Sequence, residues 1–178
     1  MAEDRRSELG TAPDPTLIVM GVSGAGKSAV GSALAAHLGR PFVDADDLHP
    51  ASNVAKMAEG HPLSDDDRWP WLDAVGAAAV AAPGTVIACS ALRRRYRERL
   101  LLAAPDAVFV ELDVPREELE RRVRVRSHEF MPSSLLDSQL ATLESLESDE
   151  PGVAVVVDPG ETLDELVERI GDAVGQRS

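Results

Sequence analysis

Short continuous apolar runs alternate with stretches of helical spacing along this chain. Thr16–Met20 (TLIVM), Pro41–Asp46 (PFVDAD), Thr85–Ser90 (TVIACS), Ala107–Asp113 (AVFVELD) and Val153–Asp158 (VAVVVD) predict five strands. Such β-branched, unbroken runs suit strands buried on both faces. Between them, apolar residues recur at helical spacing over Lys27–Leu38, Leu48–Glu59, Asp65–Ala82, Arg93–Ala103, Ser134–Leu143 and Thr162–Val174. A further helix runs to Arg126, with Pro115 suited to its first turn. Gly39 and Gly60 are stops, and Pro70 interrupts its helix early. This alternation predicts an α/β domain with a mostly parallel sheet. In such sheets ligands sit beyond the carboxyl ends of the strands.

The 178 residues fit one domain. Residues 1–14 read as a disordered leader without the apolar segment of a secretory signal, and 15–178 as the folded unit. The uncharged stretch Ala74–Leu92 is broken by Pro83-Gly84, so it predicts a helix end, a turn and a strand rather than a membrane span. The formal charge of −13 argues against general nucleic-acid binding, and 3% aromatic residues are too few for a base-stacking platform. A single cysteine, Cys89, excludes an internal disulfide and suits a cytoplasmic protein.

Chemistry enters at the first strand end. Gly21-Val22-Ser23-Gly24-Ala25-Gly26-Lys27-Ser28 fits G-x-x-x-x-G-K-[ST], between a predicted strand and a predicted helix. Glycines let the backbone wrap a phosphate, and successive N–H groups at a helix start face the anion. Lys27 adds positive charge at the β- and γ-phosphates, and Ser28 offers a hydroxyl to Mg²⁺. A nucleoside triphosphate with Mg²⁺ is the expected ligand. The motif alone leaves a kinase, an ATPase and a switch open.

The second strand ends in Asp44, Asp46 and Asp47, followed by His49-Pro50. If the strand persists that far, Asp44 and Asp46 point to opposite faces, one toward metal and one toward an acceptor. A carboxylate beside an acceptor hydroxyl orients it and takes its proton. His49 lacks companions at metal-ligand spacing and suits a substrate or structural hydrogen bond. Lys56 is the one lysine besides Lys27. Arg68 follows Asp65-Asp66-Asp67 and suits either an ion pair with them or a forked donor to a substrate carboxylate.

Arginines cluster at 93–99 and at 121–126. In an acidic protein such local positive fields help an anionic substrate bind. Most of these arginines should be solvated or paired. Arg93 is best placed, beside the third strand end. Arg122 and Arg126 share a helix face and lead into a polar, proline-broken segment, so 122–134 reads as a lid that neutralises phosphate and excludes water.

Together GVSGAGKS (21–28), FVDADDLHPASNVAKMAEGHPLSDDDRWPWL (42–72), CSALRRRYRERL (89–100) and HEFMPSSLLDSQLATLESLE (128–147) resemble the small P-loop gluconokinases. The 42–72 stretch is the specific part. The resemblance implies a three-layer P-loop NTPase fold, with a five-stranded parallel sheet, helices on both faces and a lid. It implies ATP and Mg²⁺ as cofactors, transfer of the γ-phosphate to the 6-hydroxyl of D-gluconate, and a homodimer. Residue by residue, it implies that Gly21, Ser23, Gly24, Ala25, Gly26, Lys27 and Ser28 hold the nucleotide. Lys27, Asp46 and Arg126 are the implied catalytic residues, and Arg122 and Arg126 cover the nucleotide. Asp46, His49, Lys56, Arg68 and Arg93 form the acceptor pocket, with Arg68 on the carboxylate. Ser28 and Asp44 lie at the metal. Many relatives have Gly-His-Phe-Met where this chain has His128-Glu129-Phe130-Met131, and His128 is given no role. Two alternatives stay open: a kinase of another small hydroxylated acid or nucleotide on the same fold, and a P-loop protein that is no kinase. No Asn-Lys-x-Asp guanine-reading motif is present.

Overall fold

The computed structural model describes residues 14–126 and 133–176, without the side chains of Arg126, Ser133 and Ser134. Five strands form one sheet: β1 (Leu17–Met20), β2 (Phe42–Asp44), β3 (Val86–Ala88), β4 (Val108–Asp113) and β5 (Gly152–Val156), in the order β2-β3-β1-β4-β5. Every neighbouring pair is parallel. The helices among the described residues are α1 (Lys27–Leu38), α2 (Ala51–Ala58), α3 (Asp65–Ala81), α4 (Arg94–Ala103), α5 (Arg116–Arg126), α6 (Ser133–Thr142) and α7 (Leu163–Gly175).

Side chains on a strand alternate between faces, so a continuous apolar run feeds two cores. Leu17 and Val19 of β1 pack with α1, α5, α6 and α7 through Leu34, Leu119, Leu136 and Ile170. Ile18 and Met20 pack on the opposite face with α3 and α4 through Trp71, Val75, Tyr96 and Leu100. This is the three-layer arrangement that the alternation and the resemblance predict. Gly76 lets α3 lie close on α4, since a Cβ there would stand 2.7 Å from Ala103 Cβ.

Three expectations are corrected. The second strand stops at Asp44, and Ala45–Leu48 form a 3₁₀ turn capped by the Asp44 side chain. Asp44 and Asp46 therefore share one turn instead of pointing to opposite strand faces. The following helix accordingly begins at Ala51, not Leu48. Pro70 does not interrupt its helix: α3 continues through it to Ala81. A capping box of Ser64 and Asp67 fixes the α3 start, and Pro70 in the second turn forfeits one helix bond that the rest of α3 outweighs. The turn at 82–85 separates α3 from β3, and no helix among the described residues is long and apolar enough to cross a membrane. Most of the leader, residues 1–13, lies outside the described residues, while Asp14 pairs with Arg40 at 3.2 Å.

Candidate active site

The phosphate-binding loop, the Asp44–His49 turn and Arg93 follow the carboxyl ends of β1, β2 and β3. Gly24 and Gly26 take φ values of 82° and 93°, which L side chains rarely adopt. That geometry curls the loop ahead of α1, and its N–H groups make an anion cradle with the helix start. Lys27 reaches back to the Val22 carbonyl at 3.1 Å. Arg122 of α5 leans on the same loop, its Nη1 3.2 Å from the Ala25 carbonyl, while its Nε donates to Glu118 at 2.7 Å. Glu118, shared by Arg121 and Arg122, is held at a pKa of about 2. The Arg126 side chain and the stretch 127–132, with His128 and much of the expected lid, lie outside the described residues.

Ser28 donates to Asp44 Oδ2 at 2.5 Å, and Asp44 Oδ1 accepts the Asp46 N–H at 3.0 Å. A hydroxyl and one carboxylate are hard oxygen donors. They match Mg²⁺, which takes one or two carboxylates and leaves other positions to phosphate and water. The donor set therefore fits the ion expected there.

Asp46 is exposed to the cleft but ringed by protein. Burial and then the Asp44 charge raise its pKa, while Lys27 and His49 oppose the rise. His49 lies flat on Trp71, with ring centroids 4.3 Å apart and planes 12° apart. Trp71 is anchored by its Nε1–H on the Ala45 carbonyl at 2.7 Å. Burial lowers the His49 pKa and Arg68 lowers it further, against the pull of Asp46.

Arg68 does not pair with the preceding aspartates among the described residues. Asp65 instead accepts from Tyr96 Oη at 2.5 Å and pairs with Arg95, and Asp67 is taken by Lys56 and Ser64. The Arg68 guanidinium lies 5.3 Å from the Tyr96 ring centroid. Its Nε is buried without a hydrogen-bond partner, and so is the Nε of Arg93. A buried guanidinium N–H without an acceptor is costly, which makes both arginines candidates for holding an anion. Two residues before Arg93 stands Ala91, whose φ of 42° is strained for a residue other than glycine. Arg97 holds that bend by donating to the Ala91 carbonyl at 3.1 Å.

Lys56 is placed differently from the sequence expectation. It grips both Asp67 oxygens at 2.9 and 2.7 Å, docking α2 on the start of α3. With the Ser64 bonds it holds Asp67 near pKa 2. As expected, the other arginines of the first cluster are paired: Arg94 with Glu98, Glu147 and Asp149, Arg97 with Glu150, and Arg99 with Asp73. Cys89 is buried, and burial pushes its thiol up to about 12, so it is inert.

Four residues of the cleft escape sequence reasoning. Asn53 is buried between His49 and the Asp67 carbonyl. Trp71 carries the His49 ring, and Tyr96 carries the Arg68 guanidinium. Gln139 of α6 reaches the cradle, where its Oε1 accepts the Ser23 N–H at 2.6 Å. The pattern of α2 hides Asn53, which is buried while Val54 and Met57 of the same helix are exposed.

A parallel sheet with a phosphate cradle after β1, and anion-seeking arginines beside it, defines a P-loop phosphotransferase. A family model described as AAA domain matches residues 17–146. A gluconokinase from Gluconobacter oxydans is 44% identical over 170 residues, covering 92% of this chain and 95% of its own. The crystal structure of a gluconokinase from Sinorhizobium meliloti superposes with a TM-score of 0.83 at 45% identity, covering 92% of this chain and 93% of its own. Shikimate kinase from Acinetobacter baumannii shares the fold, with a TM-score of 0.62 at 18% identity, covering 93% of this chain and 95% of its own. The chain belongs to the gluconokinase family.

Proposed function

We propose that the protein transfers the γ-phosphoryl group of ATP to the 6-hydroxyl of D-gluconate, giving 6-phospho-D-gluconate. The observation that carries the acceptor assignment is the pair of buried, unpartnered Nε groups of Arg68 and Arg93. Charged neighbours connect the cradle to the two arginines. Lys27 acts on Asp46, Asp46 on His49, Arg68 on His49, and Arg68 and Arg93 both on Tyr96. An open-chain sugar acid has the matching chemistry, a carboxylate for the arginines and a far hydroxyl for Asp46. The 44% identity over 170 residues to the Gluconobacter oxydans gluconokinase supports this reading.

In this account the cradle N–H groups and Lys27 hold the β- and γ-phosphates and take up charge as the phosphoryl group moves. Ser28 and Asp44 would hold Mg²⁺, which neutralises phosphate charge when bound. Asp46 orients the 6-hydroxyl and accepts its proton as the new O–P bond forms. Its raised pKa makes it a better acceptor than a free aspartate. Arg68 and Arg93 fix the carboxylate, and His49 contacts the hydroxyl chain. Arg122 and Arg126 close over the phosphates. Lys56 acts at one remove, by docking α2. A cytoplasmic homodimer belongs to the same proposal. Incubation with Mg²⁺-ATP and D-gluconate, followed by ³¹P and ¹³C NMR, tests it. Phosphate coupled to C6 supports it, and phosphate on another carbon or no sugar phosphate rejects it.

A further inference from the structure

The hydrogen bonds around Asn53 have a direction. Asn53, in the first turn of α2, is 2% exposed. Its Nδ2 donates to the Asp67 backbone carbonyl at 2.8 Å and stands 3.3 Å from Nδ1 of His49. A carbonyl oxygen only accepts, which fixes the amide nitrogen on that side. An amide NH₂ has two hydrogens to give and accepts none. With one hydrogen on Asp67, the other faces His49. Nδ1 must then accept, so the neutral ring carries its proton on Nε2. Trp71, stacked 4.3 Å away, holds the ring plane. Both the orientation and the tautomer of His49 are thus set by buried groups behind it.

We infer that Asn53 is a positioning residue of the acceptor site, holding His49 as a neutral Nε2–H donor to a hydroxyl of the acceptor chain. This rests on the gluconate reading above. The charged groups acting on the ring are Asp46 from the 3₁₀ turn, which favours imidazolium, and Arg68 from α3, which opposes it. Burial also opposes it. Protonation would set an Nδ1–H against the Asn53 NH₂, donor against donor, and the contact would be lost. Removing the Asn53 amide therefore makes imidazolium easier to form and moves the His49 pKa upward.

Long-range ¹H–¹⁵N NMR of the full-length wild type reads the tautomer directly. The Nε2–H form is expected, and an Nδ1–H form overturns the inference. Kinetics of Asn53→Ala, His49→Ala and His49→Gln supply the second test. Loss of one net hydrogen bond raises the gluconate KM about fivefold to tenfold in both alanine variants, with the ATP KM unchanged. In Asn53→Ala the acid limb of the gluconate KM moves to higher pH. His49→Gln, whose amide brings an N–H near the Nε2 position, restores KM toward wild type and flattens that limb. A glutamine variant as impaired as the alanine variant contradicts the inference even if every protein melts normally. Absence of gluconate phosphorylation in wild type rejects the functional reading, and the NMR tautomer still decides this one.

Discussion

Ser28 donates its hydroxyl hydrogen to Asp44 at 2.5 Å and so ties the first turn of α1 to the end of β2. The bond brings a hydroxyl and a carboxylate from distant stretches of chain to one point beside the cradle. Asp44 uses its other oxygen to cap the turn that carries Asp46. One side chain therefore links the start of α1 to the turn that carries Asp46.

Asp44→Asn should raise the Mg²⁺ concentration for half-maximal turnover at least about tenfold, in the range seen when residues supporting a metal site are changed. Asp47→Asn, an exposed change on the same turn, should not. A Mg²⁺ titration at fixed ATP separates them, and equal midpoints would remove Asp44 from the metal site.

Arg68 and Arg93 present buried guanidinium nitrogens without acceptors. A charge-assisted hydrogen bond is worth about 1.5–3 kcal/mol, or roughly ten- to hundredfold in affinity. Arg68→Lys keeps the charge but loses the fork and Nε, so the gluconate KM should rise by about that factor while the ATP KM holds. Arg93→Lys should act the same way. Steady-state kinetics with each substrate varied in turn checks both, and an unchanged gluconate KM would move the carboxylate site elsewhere.

Much of this cleft was legible in the sequence, and the reasons differ by residue. The cradle is one contiguous motif whose backbone geometry follows from its glycines. The strands were legible because buried parallel strands leave unbroken apolar runs, as Leu17–Met20 does. The turn at Ala45–Leu48 was not, because a side-chain cap from Asp44 outcompetes the extended pattern. Pro70 misled for a related reason: propensity describes an isolated helix, and the capping box and burial of Trp71 and Leu72 override it. The role of Lys56 depends on the fold of α2 against α3, which residue spacing does not encode. Gln139 meets Ser23 across 116 positions, a contact that only the folded chain reveals.

That Gln139 contact carries its own prediction. Its amide oxygen occupies a cradle N–H that a nucleotide phosphate would otherwise use. Gln139→Ala removes the competitor, and ATP should bind about two- to tenfold more tightly. Gln139→Glu keeps an acceptor and adds negative charge, and should weaken ATP binding. Calorimetry with a non-hydrolysable ATP analogue checks both signs. Weaker binding by the alanine variant would mean that Gln139 assists the phosphate instead.

The Arg97–Glu150 pair governs stability rather than chemistry. Arg97 is 0% exposed and donates to Glu150 through Nε at 2.5 Å and Nη2 at 2.8 Å. Burial pushes the Glu150 pKa up, but the Arg97 bonds and the Glu147 N–H bring it below the ordinary glutamate range. A depressed folded pKa gives stability that is present above the unfolded value, near about 4.3, and is lost as pH falls through the folded one. Glu150→Ala leaves a buried cation uncompensated and should cost about 3–5 kcal/mol in denaturant melts at neutral pH. Its stability should also decline less steeply than wild type below pH 5. Matching acid profiles would contradict this.

In the proposed reaction the cleft selects an acceptor by its carboxylate at one end and phosphorylates the hydroxyl at the other. The most direct measurement is kcat/KM for D-gluconate against D-glucitol, the same chain with a hydroxymethyl group in place of the carboxylate. Unpaired arginines facing glucitol should lower its kcat/KM by at least about a hundredfold, and Arg68→Lys should narrow that gap. Comparable turnover of the two acceptors would contradict the account.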